Sequence, residues 1–160
     1  MNSPSFDIIA KTQFKFLELD FDFQLTKCCE HNWGYEMIYL NNKVGIKITY
    51  EFGEAYIFIL LYKLIDGKLI ENPHIIKNDT LLYGYGLDDI INLRNPSALI
   101  KPAYQYGSKS EYYDKEKGLT LYVSAFADNL KKYATDILNG NFEIFIATDK
   151  VVKERANKYQ

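Results

Sequence analysis

The sequence predicts an α+β fold, an antiparallel meander of four or five strands with N-terminal and C-terminal helices packed on one face of the sheet. Three observations predict it. Residues 6–17 carry apolar side chains at helical spacing, Val44 to Glu51 alternate strictly, and residues 119–139 return to a helical stripe. Helices and strands thus come in segregated runs, whereas a parallel α/β sheet would interleave them. At 160 residues the chain is read as a single domain, 1–160, long enough to bury a sizeable core.

The elements follow in order. Phe6, Ala10, Phe14 and Leu17 make the apolar stripe of a first helix, with Lys11, Lys15 and Glu18 on its other faces. Phe21 to Leu25 switches to alternation, so a first strand is expected from about Phe23 to Glu30, closed by a turn at His31-Asn32-Trp33-Gly34. A second strand over 35–40 leads to Asn41-Asn42, which suits a tight turn because Asn tolerates positive φ. In the third strand Val44, Ile46, Ile48 and Tyr50 form one face, and Gly45, Lys47, Thr49 and Glu51 the other. Tyr56 to Leu64 is apolar on both faces, so this strand is expected to be central, covered on both sides, or part of an interface. Asp66-Gly67 between apolar residues predicts a hairpin, with a short extra strand after it.

From Glu71 to Gly118 the pattern offers one helix, Asp88 to Arg94, and otherwise loop. Leu119, Val123, Phe126, Leu130, Tyr133 and Ile137 then define a long helix that Gly140 terminates. Phe142 to Ile146 fits either helix or strand, and Thr148 or Asp149 is placed to cap a last helix.

Composition narrows the function classes. Bases and acids interleave to a net charge of −2, without the basic stripe of a nucleic-acid binder, so no nucleic-acid partner is expected. The longest apolar run, Ala55 to Tyr62, falls far short of the ~20 residues of a membrane helix, and no membrane partner is expected either. Met1 to Ser5 lacks the charged and apolar regions of a signal peptide. Cys28 and Cys29 are adjacent and read as reduced thiols on opposite faces of a strand, so the expected location is cytoplasmic.

Groups suited to catalysis are few. His31 and His74 lie in separate turns, and Cys28, Cys29, Glu30 and His31 point alternately up and down a strand, so at most two could converge on a metal. Asp20 and Asp22 read as the wet side of an extended segment, and Asp88 and Asp89 as acids at a helix N-terminus. Gly84-Tyr85-Gly86 lacks the third glycine and the Lys-Ser/Thr of a phosphate loop. The expectation is no catalytic residue, no metal and no cofactor.

The positive signal is tyrosine. Six of 14 tyrosines fall in 83–113, a stretch without Phe or Trp: Tyr83, Tyr85, Tyr104, Tyr106, Tyr112 and Tyr113. Tyr suits a surface that is apolar on one side and wet on the other, and it is enriched at binding hot spots. On extended chain, Tyr83 with Tyr85 and Tyr104 with Tyr106 would project to one side. These six are the candidate partner-binding residues, with a covering of the open sheet face as the competing reading. A homodimer through strand 55–64 is a further expectation.

The spacing of Phe14-x-Phe16-Leu17, Asp20-Phe21-Asp22-Phe23, Val44 to Tyr50, Leu87-Asp88-Asp89-Ile90-Ile91 and Ile137-Leu138-Asn139-Gly140 with Phe145 resembles small bacterial toxin-immunity proteins, those encoded beside polymorphic or contact-dependent inhibition toxins. The resemblance implies a non-enzymatic protein that binds and neutralises one cognate toxin domain. The near-neutral charge departs from the strongly acidic immunity proteins that face nucleases. The alternative is an enzyme or small-ligand binder with a pocket between the sheet and the 71–118 loop, using Asp20, Asp22 or His31.

Overall fold

The computed structural model describes residues 5–159; the signal-peptide reading of the first residues lies largely outside them. The fold is α+β, a five-stranded antiparallel sheet in the order β1-β2-β3-β4-β5 with helices on one face. The first helical segment bends at Phe14 into α1 (Phe6–Gln13) and α2 (Lys15–Phe21), so it runs further than the stripe at 6–17 predicts. Phe6, Ile9, Ala10, Phe14 and Leu17 are all buried. Strands β1 (Gln24–His31), β2 (Gly34–Leu40), β3 (Val44–Glu51) and β4 (Tyr56–Lys63) follow as a meander. Cys28 and Cys29 are successive residues of β1, both free thiols.

Register puts the apolar rows on the helical side. Met37 pairs Ile48 and Ile48 pairs Ile59; in the next row Tyr39, Ile46, Leu61 and Tyr85 line up across four strands. Against these rows packs α4 (Gly118–Leu138), through Val123, Phe126, Leu130 and Ile137. The helix ends in a Schellman arrangement: Gly140, at φ +88°, donates to the Ile137 carbonyl, and the Asn141 N–H donates to the Asp136 carbonyl. Near that end it kinks at Ala134, and the Arg94 guanidinium donates to the Tyr133 carbonyl beside the kink. Arg94 also makes a bidentate pair with Asp136 at 2.8 and 2.6 Å, tying α3 (Leu87–Arg94) to α4.

Strand β4 is interior to the sheet, with β3 along its whole length and β5 (Gly84–Gly86) paired to Leu60–Tyr62. Those neighbours pair its backbone, while Phe58 on one of its faces stays 40% exposed.

Three expectations are corrected downstream of β4. The Asp66-Gly67 turn forms, with both residues at positive φ, but the hairpin is a single bridge between Ile65 and Lys68 and the residues directly after it form no strand. Leu64 and Leu69 instead fold back over Gly45 on the outer face of the sheet. The fifth strand comes from Gly84-Tyr85-Gly86, inside what reads as loop, where Gly84 allows the Tyr62 ring to lie against the backbone. The Asn72 amide closes this edge, accepting from the Tyr83 and Gly84 N–H groups at 2.7 and 3.3 Å and donating to the Gly84 carbonyl at 2.7 Å. The remaining stretch carries three short 3₁₀ turns, Pro96–Ala98, Ala103–Tyr106 and Glu111–Tyr113. Finally, α5 (Ile144–Lys158) begins earlier than a Thr148 cap predicts, because Phe145 is drawn into the core beside Tyr85.

Candidate binding surface

The six tyrosines divide into two sets. Tyr104, Tyr112 and Tyr113 meet at the start of α4, around a cavity of about 290 Å³ that Tyr50, Tyr122, Ala103, Leu119, Asp114 and Lys115 also line. Tyr106 adjoins it, its ring edge-on to Tyr112 with centroids 5.2 Å apart. Tyr83 and Tyr85 belong to a different groove, described below.

Local chemistry explains how a segment rich in polar residues holds this shape. The Asp114 carboxylate accepts from the Glu116 and Lys117 N–H groups at 2.9 and 2.8 Å, which closes the turn before α4. Those two bonds hold its pKa below the usual carboxylate value. The Ser110 hydroxyl accepts from the Tyr112 N–H at 3.2 Å. Gly118 permits a close crossing, since a Cβ there would lie 2.3 Å from the Tyr112 carbonyl oxygen. Lys101 is gripped at both backbone groups: its N–H donates to the Tyr106 hydroxyl at 3.0 Å, and its carbonyl accepts from the Tyr122 hydroxyl at 2.6 Å.

Beneath the surface the rings continue inward. Tyr112 meets Tyr122 edge-on at 5.0 Å, Tyr122 meets Phe126 at 5.1 Å, and Phe126 meets Tyr56 at 5.7 Å. Burial pushes the Tyr112, Tyr122 and Tyr50 hydroxyls above the ordinary tyrosine pKa, so all three stay neutral donors at physiological pH. Above this support Tyr104, Tyr106 and Tyr113 stand 51%, 40% and 46% exposed. The rings of Tyr104, Tyr106 and Tyr113 thus form an exposed wall, with the Tyr106 hydroxyl accepting from the Lys101 N–H at 3.0 Å and the Tyr104 hydroxyl from the Gln105 amide at 3.5 Å.

The premise that Tyr104 and Tyr106 share a face of extended chain is overturned, because they sit in a 3₁₀ turn, where side chains eclipse at i and i+3. Tyr83 and Tyr85 do lie on one side, but Tyr85 is only 5% exposed. Its ring packs 4.7 Å from Phe145 and its hydroxyl donates to Asp149 Oδ1 at 2.6 Å. Tyr85 is therefore a core residue of the β5–α5 junction, outside the exposed face. Tyr50 and Tyr122 are lining residues that sequence reasoning missed. The four-residue spacing of Tyr122 from Phe126 on α4 was the available signal for one of them.

The groove at Tyr83 and Tyr85 measures about 450 Å³ and runs between Lys63 and Ile65, the 81–83 segment and α5. Phe142, Phe145, Ile146, Asp149 and Lys153 complete its walls. Asp20 and Asp22 line a separate polar notch of about 220 Å³ with Asn41, Lys43 and the end of α4. His31 is remote from both in the fold, stacked on Trp33 at the end of β1. Asp88 and Asp89 part company at the start of α3: Asp88 accepts from the Tyr56 hydroxyl, and Asp89 pairs bidentately with Arg155 at 2.7 and 3.0 Å. Among the described residues no three His, Cys, Asp or Glu side chains converge as a metal site. No helix among them is long and apolar enough to cross a membrane.

No family model, curated protein or solved structure matches the chain.

Proposed function

We propose that the chain is a non-enzymatic protein-binding module of the toxin-immunity type, which neutralises a cognate bacterial toxin domain in the cytoplasm. The observation that carries this reading is the exposure of Tyr104, Tyr106 and Tyr113 on turns braced from below by Tyr112 and Tyr122. Rigid tyrosines give large contact area for little lost side-chain entropy, and their hydroxyls pair with whatever polar rim the partner offers. Tyr83, half-buried at the separate groove, remains a candidate, while Tyr85 is buried in the β5–α5 junction. The test is co-expression with the toxin encoded beside its gene. Growth should be protected by the parent chain and lost with Tyr104→Ala plus Tyr113→Ala, two exposed rings whose removal should leave the melting temperature unchanged. Undiminished protection by the double variant overturns the reading, as does a metabolic operon in place of a toxin gene.

The second reading is a small-ligand-binding protein. The groove of about 450 Å³ favours it, being within the size range of ligand sites and bounded by the sheet edge and residues 81–83. Its walls hold none of Asp20, Asp22 and His31, so the groups named for that reading would have to be replaced by Asp149, Lys153 and the Tyr85 hydroxyl. Ligand-dependent thermal stabilisation that Ile146→Asp abolishes would favour this reading over the first.

A further inference from the structure

The outer face of the sheet is covered in one half only. Leu64 and Leu69 close over Gly45, and Glu71 reaches Lys47 at 2.6 Å. Beyond that cover lies a cleft of about 350 Å³ whose walls include Trp33, Glu36, Glu51, Phe58, Gly86 and Asp88. Register explains the grouping: Glu36, Thr49 and Phe58 form one cross-strand row, and Lys47, Leu60 and Gly86 the next. Gly86 leaves its row without a side chain, which opens the cleft toward the first turn of α3, where Asp88 sits.

Two large aromatic side chains stand in water here, Trp33 at 45% and Phe58 at 40% exposed. Neither is loose. The His31 imidazole lies flat against the indole, centroids 4.8 Å apart and planes 9° apart, and Tyr56 meets Phe58 edge-on at 4.7 Å. The charges around them do not balance. Glu36 has Lys27 at 2.8 Å and Lys47 has Glu71, but neither Glu51 nor Asp88 has a cation in ion-pair contact among the described residues. Asp88 has only the Tyr56 hydroxyl.

We propose that this cleft receives an arginine or lysine side chain from a protein partner, held over the rings of Trp33 and Phe58 and against the carboxylates of Glu51 and Asp88. Aromatic faces attract a cation through their quadrupole, and two carboxylates without counter-ions supply the complementary charge. The indole and phenyl rings would lose their water on the same docking, which is the composition of a binding hot spot. This surface lies on the opposite side of the sheet from Tyr50 and the tyrosine cavity, so it is a second recognition site, independent of the first.

Trp33 is the sole tryptophan, which gives a direct reporter. Titration of the full chain with a hexa-arginine peptide should change Trp33 emission saturably, and a hexa-glutamate peptide should not. Glu51→Lys and Phe58→Ala should each weaken the hexa-arginine affinity at least fivefold. Glu154→Lys, the same charge change on the exposed flank of α5, should leave it within twofold. Circular dichroism checks that each variant folds, and Glu51→Gln serves if the lysine variant does not. The proposal is overturned if emission shows no saturable change, or if Glu154→Lys weakens binding as much as Glu51→Lys. Tyr104→Ala plus Tyr113→Ala should not alter this titration, which separates its failure from that of the tyrosine reading.

Discussion

The hydroxyl of Tyr85 donates to Asp149 Oδ1 at 2.6 Å, joining the edge strand of the sheet to the last helix. The same carboxylate holds Lys153 at 2.9 Å one turn along α5. With Phe145 against the Tyr85 ring, this contact ties β5 to a helix whose buried residues are Phe145 and Thr148.

Replacing Tyr85 by Phe keeps the ring and removes the bond. A hydrogen bond to a charged acceptor contributes about 1.5–3 kcal/mol, and Lys153 still shields the carboxylate, so the lower end is expected. Urea unfolding should show a loss of about 1.5 kcal/mol with an unchanged m-value. A loss under about 0.5 kcal/mol would mean that α5 is held chiefly by its other contacts, Arg155 to Asp89 among them.

Alkaline pH should unfold the protein through its buried tyrosines. Burial raises the pKa of Tyr39, Tyr56, Tyr62, Tyr85 and Tyr122, with Tyr62 pushed up to about 12. A raised folded-state pKa means that the folded form holds its proton more tightly than the unfolded chain. The stability from neutral, buried hydroxyls is therefore complete below the unfolded tyrosine pKa of about 10 and is lost as pH rises toward the folded values. Urea midpoints should be flat from pH 8 to 9 and fall steeply above about pH 10. Tyr62→Phe should make that fall shallower. A midpoint that stays level to pH 11 would refute the account.

Gly34 and Gly53 make a paired experiment. Gly34 has φ +156°, and a Cβ there would lie 1.7 Å from the Tyr50 carbonyl oxygen, a backbone atom locked in the β2–β3 ladder. Gly34→Ala should cost more than about 3 kcal/mol or prevent folding, since relief requires moving a strand. Nothing lies within 4 Å of a Cβ at Gly53, so Gly53→Ala should leave the urea midpoint within experimental error or raise it slightly. Equal effects at the two positions would contradict this geometry.

Legibility in the sequence followed the strength of periodic signals. The helical stripe of α4 and the alternation of β3 were readable because each repeats over several turns or pairs, and residues 119–138 and 44–51 fold as those periods require. Strand β5 was not, because Gly-Tyr-Gly offers one side chain and no alternation. The Asp66-Gly67 pair carries the stronger hairpin signal, and its turn forms, but its strands end after one bridge. The candidate surface was half readable. Tyrosine density located the segment, but the 3₁₀ turns that set which rings face outward depend on Ser110, Asp114 and Lys101 bonding across short loops. That information is carried by individual polar contacts rather than by any period. The exposed Trp33–Phe58 pair was invisible for a related reason, since its members are brought together only by the pairing of β2, β3 and β4.

The amide of Asn72 gives the sheet a stopper made from its own chain. It satisfies both backbone groups of Gly84 that a neighbouring molecule would need to begin zipping on, and at the far side Lys27 and the irregular step between Leu25 and Lys27 break up the rail of β1. A crowded population of this protein is thereby denied the edge-to-edge growth that leads to fibres, and association is left to side-chain faces alone.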